Sequence, residues 1–179
     1  MKIIKKILFA ILAIIAIALI VALFMPKDYA VEREIVIKQP KDSVFNYIKY
    51  LKNQDDFSVW ARIDPDMKKT FSGVDGTVGA IAGWESQNDK VGVGEQEIIK
   101  ITEGARIDFE LRFKIPFESN DNAYMSTEAI TVNETKVKWG FKGIMPYPMN
   151  LMFPLMNMEE MLGKDLQQGL DNLKVALEK

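Results

Sequence analysis

An unbroken apolar segment near the N-terminus sets the strongest limit on how this chain can fold. Residues 7–25 contain no charged and no strongly polar side chain. As a helix, these residues span roughly 28 Å at about 1.5 Å per residue, which is close to the hydrocarbon thickness of a bilayer. A helix in a soluble core would have one polar face, whereas this segment is apolar on all sides. The segment therefore predicts a membrane span.

The charges that flank the apolar segment predict its orientation. Three lysines lie within residues 2–6, and Asp28 and Glu32 follow soon after the segment. Because Lys and Arg gather on the cytoplasmic side of membrane helices, we expect the N-terminus in the cytoplasm. The rest of the chain would then be an extracytoplasmic domain on a single-pass anchor.

A cleaved signal peptide is the alternative interpretation of the same segment. Residues 16–18 have the small-x-small pattern of a cleavage site. The apolar core of a signal peptide is usually about 7–15 residues long, however, and this one continues past that pattern. We divide the chain into an anchor or signal segment at 1–26 and one domain at 27–179, which is long enough for a single core.

Two absent residue types exclude several kinds of active site. The sequence has no cysteine and no histidine. Disulfides, thiolate metal sites, cysteine nucleophiles, Ser-His-Asp triads and HExxH zinc helices are therefore excluded. The net charge of −2 argues against a nucleic-acid-binding protein, because such proteins are usually basic. We expect no cofactor and no nucleic-acid partner.

Periodicity in the domain predicts strands and short helices before one long helix. A strand is predicted at 29–37, a helix with its apolar stripe at 44–51, and a second short helix at 52–60. Alternating apolar and charged residues at 107–115 and 136–142 predict antiparallel strands with one buried face.

The C-terminal part changes to a helical period. Leucines and methionines recur every three or four residues from Leu151 to Leu177, which predicts a helix of roughly 25 residues or more. A curved antiparallel sheet wrapped around one long amphipathic helix satisfies these patterns. The predicted fold class is α+β, with a cavity between the sheet and the helix.

Stretches spread over the domain carry a resemblance to known proteins. They are VEREIVIKQPKDSVFNYI (31–48), FSVWARIDPDMKKTFSG (57–73), VGAIAGWESQNDKVGVGEQEII (78–99), FKIPFESNDNAYMSTE (113–128) and MLGKDLQQGLDNLK (161–174). They resemble the SRPBCC superfamily, also called the START-like or Bet v 1-like helix-grip fold, and within it small bacterial proteins of the polyketide cyclase/dehydrase type. The resemblance implies a helix-grip fold with a hydrophobic cavity. It names no ligand, because members bind lipids, sterols, polyketides or plant hormones.

Large apolar side chains are the candidate lining of that cavity. From the predicted strands these are Trp84, Phe109, Phe113, Trp139 and Phe141. From the start of the long helix they are Met152, Met158 and Leu162, within a segment that has six methionines between residues 145 and 161. Methionine is flexible and suits surfaces that accept varied shapes. The alternatives for these methionines are core packing or an exposed apolar lip against the membrane. The loop 143–154 could act as a mobile gate to the cavity or contact lipid.

Four carboxylates and one arginine are candidate reactive groups. A buried carboxyl beside an aromatic ring can have a raised pKa and act as an acid. The candidates are Glu85, Glu95, Glu128 and Asp165. A solvated strand-end position fits Glu85 better, and a structural role fits Asp165 better. Arg33 either pairs with an internal carboxylate, binds a ligand head group or extends to solvent.

Two short acidic loops were weighed as metal sites. Residues 64–66 and 120–122 lack the spacing of an EF-hand, and turn chemistry explains both. We therefore expect no bound metal. Taken together, the sequence predicts membrane-anchored binding of a hydrophobic small molecule or lipid. The alternatives are a polyketide cyclase/dehydratase-like enzyme and a chaperone-like protein-interaction module.

Overall fold

The computed structural model describes residues 2–179 as one long N-terminal helix followed by an α+β domain. Its helices and strands are α1 (Lys2–Phe24), β1 (Asp28–Ile37), α2 (Lys41–Ile48), α3 (Gln54–Phe57), α4 (Val59–Ile63), β2 (Lys68–Ser72), β3 (Ile81–Glu85), β4 (Val93–Thr102), β5 (Arg106–Ile115), β6 (Ser119–Thr131), β7 (Glu134–Ile144) and α5 (Met158–Leu177). Two 3-10 turns lie at Leu51–Asn53 and Met149–Met152.

The seven strands form one antiparallel sheet in the order β1-β7-β6-β5-β4-β3-β2. The sheet curves around α5, which packs chiefly against β1 and more lightly against β7. The prediction of an α+β helix-grip fold is therefore confirmed.

The core lies between the concave face of the sheet and the helices. Along β5, Ile107, Phe109 and Leu111 are buried because alternate residues of a strand point to the same face. Along α5, leucines at a spacing of three and four form the buried stripe, and these are Leu166, Leu170 and Leu173. Burying each such side chain contributes about 1.5–3 kcal/mol.

Two glycines let α5 approach the sheet closely, but they meet different neighbours. A Cβ on Gly169 would lie 2.6 Å from the Trp139 ring, which Phe57 and Trp60 hold from two other sides. A Cβ on Gly163 would meet only the flexible guanidinium of Arg33. The contact at Gly169 is therefore rigid, and the contact at Gly163 is not.

The predicted start and length of the C-terminal helix are wrong. Residues 151–157 lie outside α5, which begins at Met158 and has 20 residues. Asn157 caps the helix, because its side chain accepts a hydrogen bond from the Glu160 N–H at 3.1 Å. The preceding segment instead makes the 3-10 turn at Met149–Met152 and a further turn through Pro154.

The second short helix predicted at 52–60 is divided into three pieces. These are the 3-10 turn at Leu51–Asn53, then α3, then α4. Ser58 separates the two helices because its backbone is extended, with φ −64° and ψ 129°.

Helix α1 extends from the domain with nearly all of its apolar side chains exposed. It is long enough and apolar enough to cross a membrane, and a signal sequence has the same length and composition. Its C-terminal turn contacts the 3-10 turn at Met149–Met152.

We expect Gly169→Ala to lower the free energy of unfolding by about 1–3 kcal/mol, because the new methyl group overpacks the fixed Trp139 ring. Gly163→Ala is the matched control in the same helix. It should leave stability unchanged or raise it by up to about 1 kcal/mol, because alanine favours helix and the Arg33 side chain can move. Thermal unfolding followed by circular dichroism measures both. Equal effects of the two substitutions would contradict the account of the helix–sheet contact.

Candidate functional site

A cavity of about 390 Å³ lies between the sheet, the short helices α3 and α4, and the N-terminal half of α5. All seven strands contribute lining residues to one wall, and Leu162 and Leu166 of α5 form part of the other. Most of the lining side chains are apolar. Pockets for small molecules commonly have volumes of about 300–1,000 Å³ and are mostly apolar. The cavity therefore has the size and chemistry of a ligand site.

The cavity exists because α5 covers only one side of the concave face. The helix lies over β1 and β7 at one edge of the sheet, and α3 and α4 pack against α5. The inward side chains of β5 are left without helical partners over part of their length. Phe109, Leu111 and Phe113 consequently face the open space.

Pairs of aromatic rings stiffen the cavity walls. Trp84 and Phe113 meet edge to face, with ring centroids 5.8 Å apart. Trp60 meets Trp139 in the same way at 6.1 Å. The indole N–H of Trp84 donates a hydrogen bond to the Val91 carbonyl at 3.2 Å, which satisfies its only polar group. Paired rings of this kind hold a preformed apolar surface.

We interpret one end of the sheet as the opening of the cavity, because the lining residues there include the exposed Pro116 and Phe117. Strand pairing brings the start of β1, the end of β7, the start of β6 and the end of β5 to that same end. The start of β4 and the loop before it lie there too. We call this region the mouth end and define it as residues 25–29, 86–93, 115–121 and 144–157. Among the lining residues there, Phe117 is 71% exposed.

Four polar side chains line the cavity near its mouth, namely Tyr29, Lys90, Ser119 and Asp121. The Asp121 carboxylate is buried, and it accepts hydrogen bonds from the Ser119 hydroxyl at 2.9 Å and from the Ile144 N–H at 3.2 Å. Tyr29 stacks on Phe141 with ring centroids 5.9 Å apart. A mostly apolar cavity with polar groups at its mouth suits a ligand that has an apolar body and a polar tip.

The Tyr29 phenol is held in its neutral form. Burial, together with the smaller effect of the negative charge of Asp121, raises the pKa of Tyr29 to about 12. At neutral pH the hydroxyl therefore keeps its proton and can donate a hydrogen bond.

An ion pair lies on the opposite side of the cavity. Lys69 of β2 and Asp55 of α3 are joined at 2.8 Å, and both line the cavity. Gln96 of β4 also lines it. The pair ties the edge strand to a covering helix, and each charge is satisfied by the other.

Six of the eight residues predicted to line a cavity do so in the structure. They are Trp84, Phe109, Phe113, Trp139, Phe141 and Leu162. Met152 and Met158 are not among the lining residues, and neither are the other methionines between 145 and 161. The expectation was based on a helix that begins at Leu151. In the structure that segment turns toward the end of α1 instead.

None of the four candidate carboxylates lines the cavity. Three of them form ion pairs elsewhere: Glu85 with Lys68, Glu95 with Arg112 and Glu128 with Lys136. The fourth, Asp165, is half-buried on α5. None of these groups is placed to act on a ligand in the cavity.

Arg33 joins β1 to the start of α5. Its guanidinium donates a hydrogen bond to the Glu159 carbonyl at 3.1 Å and lies 3.8 Å from the Glu159 carboxylate. It therefore binds the helix and does not reach the cavity lining.

The turn expected at residues 120–122 is wrong, because these residues lie in β6 and pair with Arg112–Glu110 of β5. Residues 64–66 do have turn geometry. The Asp64 carboxylate accepts a hydrogen bond from the Asp66 N–H at 3.2 Å and another from the Ser86 hydroxyl. Within residues 2–179, no group of three or more acidic side chains is placed to hold a metal ion.

Sequence reasoning missed the polar mouth and the helical cover of the cavity. Tyr29 and Asp121 come together only because the ends of β1 and β6 meet at one end of the sheet, with β7 between them. Trp60 lines the cavity from α4. The available sequence signal for Trp60 was its large aromatic side chain within the predicted helix 52–60.

Solved structures share this architecture. The chain matches a protein from Nitrosospira multiformis at 21% identity and TM-score 0.58, over 83% of this chain and 96% of that one. It matches truncated norcoclaurine synthase from Thalictrum flavum at 11% identity and TM-score 0.61, over 85% and 95%. It matches Ara h 8.0201 at 13% identity and TM-score 0.54, over 84% and 95%. No protein-family model and no curated protein matches the sequence. At these identities the likeness shows the fold, which is a Bet v 1-like, SRPBCC-like helix-grip fold.

We expect the late ionisation of Tyr29 to be visible in a titration of tyrosinate absorbance. Tyr29 and Tyr47 should both ionise near pH 12, whereas free tyrosine ionises near pH 10. Because the folded state holds the Tyr29 proton more tightly than the unfolded state, its contribution to stability is complete below pH 10. That contribution is lost as the pH rises toward 12.

Two variants assign the ionisation steps near pH 12 to individual tyrosines. Tyr29→Phe should remove one of them, and Asp121→Asn should move that step to lower pH while leaving the Tyr47 step in place. A titration of Tyr29→Phe that matched the parent protein would show that the phenol is not buried beside Asp121.

Proposed function

We propose that this protein binds a hydrophobic small molecule or lipid in the cavity while α1 holds the domain at a membrane. One observation carries the proposal. A preformed, mostly apolar and aromatic-walled cavity of about 390 Å³ has Tyr29, Ser119 and Asp121 in its lining at the mouth end. Such a space serves a ligand better than it serves stability, because a filled core would contribute more to the free energy of folding.

The physics of binding is apolar burial. Removing apolar ligand surface from water contributes about 25 cal/mol per Å², so roughly 300 Å² supplies about 7 kcal/mol before the cost of immobilising the ligand. Binding also costs free energy when protein side chains must be ordered, and the rigid aromatic pairs keep this second cost low. Tyr29 and Ser119 would then orient the ligand by hydrogen bonds to its polar tip.

Helix α1 fits the role of the anchor. Its apolar side chains are exposed around its whole circumference, and exposed surface of that extent needs lipid or protein around it. The lysines at its N-terminus favour a cytoplasmic N-terminus and an extracytoplasmic domain.

The contact between α1 and the domain favours retention of the helix over cleavage. Asn150 is fully buried, and its amide nitrogen donates to the Ala22 carbonyl at 2.8 Å and to the Met25 carbonyl at 3.3 Å. Cleavage beyond Met25 would remove both acceptors and leave the amide unpaired. Cleavage after Ala18 would leave an apolar stub of residues 19–24, which is too short for a stable isolated helix.

Within the superfamily we propose the polyketide cyclase/dehydrase type, on the strength of the five sequence stretches that resemble it. A catalytic role is the second candidate function. The observation that favours it is Tyr29 beside Asp121 at the mouth, a neutral donor next to a buried carboxylate. A protein-interaction module is the third candidate, based on the exposed methionine-rich segment.

The cavity is tested by filling it. Ala82 of β3 lines the cavity, and Ala82→Phe should place a ring in the empty space. We expect this variant to lose binding of an apolar fluorescent probe and of dispersed fatty acid by at least tenfold in Kd, with little change in Tm. Ala129→Phe is the matched control, since Ala129 is exposed near the end of β6 and outside the lining.

The walls are tested by removing one ring. Phe113→Ala should weaken the same binding, because the ligand loses an aromatic contact worth about 1 kcal/mol or more. Trp139→Ala is a poorer probe, since Trp139 also supports α5 through Gly169. Equal probe binding by the parent, Ala82→Phe and Phe113→Ala would contradict ligand binding in the cavity.

Retention of α1 is tested by intact mass and membrane extraction. We expect the mature protein to keep all residues through Met25 and to stay in the membrane fraction after alkaline carbonate washing. A mature protein that begins within residues 19–27 and is released by that wash would contradict the anchor.

A further inference from the structure

We infer that the mouth end of the domain sits in the bilayer surface, so that the cavity opens into the membrane. This inference rests on the proposed anchoring through α1. It adds a docking surface, formed by exposed apolar residues around the cavity mouth, and its partner, the lipid bilayer. Three independent features of the structure lead to it.

The first feature is where the anchor ends. Helix α1 stops at Phe24 and β1 starts at Asp28, so only three residues join the anchor to the sheet. Asp28 pairs with Ile144 at the end of β7, and this is the end of the sheet at which the cavity opens. A bilayer that surrounds α1 therefore lies within a few residues' reach of the mouth.

The second feature is a rigid joint between anchor and domain. The Met145 N–H donates to the Lys27 carbonyl at 2.8 Å. Asn150 caps the last turn of α1 through its bonds to Ala22 and Met25. These bonds fix α1 to the segment between β7 and α5. The domain consequently does not turn freely on a flexible tether, and the mouth end stays toward the membrane.

The third feature is a band of exposed apolar side chains around the mouth. Phe117 protrudes from the β5–β6 hairpin, and Leu155 is 78% exposed in the segment before α5. Ile144, Met149 and Met152 are also exposed. The ends of β5, β6 and β7 that carry this band are neighbours in the sheet, so the exposed residues lie on adjacent elements.

The opposite end of the sheet differs in arrangement. Its most exposed apolar residues form two groups, Val74 and Val78 in the β2–β3 loop and Ile130 and Val132 at the β6–β7 hairpin. Two or more other strands separate these positions in the sheet, so they do not form one band. Scattered exposed residues are ordinary on protein surfaces, whereas a contiguous apolar band beside a membrane helix is typical of an interfacial contact.

The consequence is a route for the ligand. With its rim in the interface, the cavity exchanges a lipid-class molecule with the bilayer, and the molecule's apolar body does not cross bulk water. The methionine-rich segment then serves as the lip of the mouth and not as the cavity lining. The sequence left core packing, cavity lining and lipid contact open for the methionine-rich segment, and this proposal corresponds to lipid contact.

The absence of cysteine makes the test direct, because each single-cysteine variant carries one label. Full-length Phe117→Cys, Leu155→Cys and Val132→Cys, each with an environment-sensitive fluorophore, are reconstituted into phosphatidylcholine vesicles with and without brominated acyl chains. Val132 is the control, being 86% exposed at the opposite end. Ile14→Cys, in the middle of α1, reports insertion of the anchor.

We expect labels at 117 and 155 to be quenched several-fold more than the label at 132, with the label at 14 quenched most. Labels at 117 and 155 that behave like the label at 132, while the label at 14 is quenched, would overturn the docking surface and leave the anchor intact. An unquenched label at 14 would overturn the anchor and this inference together. Leu155 lies outside the cavity lining, so quenching of the label at 155 does not depend on whether the cavity binds a ligand.

A kinetic variant separates docking from binding. Leu155 does not line the cavity, so Leu155→Asp should slow uptake of a fluorescent lipid from vesicles several-fold and leave uptake from detergent solution unchanged. Ala129→Asp is the matched control and should change neither rate. Equal vesicle uptake by Leu155→Asp and the parent would overturn the proposed route.

Discussion

The packing of α5 against β1 is the interaction on which the rest of the structure depends. Gly169 lets the helix reach the ring of Trp139, and the buried stripe of Leu166, Leu170 and Leu173 holds it there. Because the helix is held at one edge of the sheet, it leaves the inward faces of β3 to β5 uncovered. The short helices α3 and α4 close that space without filling it. The cavity is thus a direct result of where the long helix is fixed.

The same end of the sheet carries the end of α1, the proposed opening of the cavity, and Tyr29, Ser119 and Asp121 of its lining. Antiparallel pairing brings the starts of β1 and β6 and the ends of β5 and β7 together at this end of the sheet. The segment between β7 and α5 joins these parts, because Asn150 binds the end of α1 while exposed apolar residues of that segment lie beside the mouth. A domain that takes its ligand from a bilayer needs this combination, and a freely tethered domain would lack the fixed orientation.

The sequence predicted the elements that have a clear period, and it failed where position depends on capping or on distant strands meeting. Alternation in β5 and β7 was sufficient to place Phe109, Phe113, Trp139 and Phe141 on the inner face. The leucine period predicted α5 but not its start. The Asn157 cap starts the helix at Met158, although the apolar pattern continues back to Leu151. Asp121 and Tyr29 lie far apart in sequence, and strand register alone brings them to one cavity. Local pattern carries no information on such long-range pairing.

Native mass spectrometry of the full-length protein, extracted gently into lipid nanodiscs, tests the central claim most directly. The account predicts a stoichiometric extra mass of lipid size on the folded protein that is released on denaturation. The same mass should be absent from the Ala82→Phe protein, whose cavity is filled, and present on Ala129→Phe. A parent protein that carries no extra mass, even when purified from lipid-rich membrane, would contradict a lipid-binding cavity. An extra mass that persists on Ala82→Phe would show that the ligand binds elsewhere.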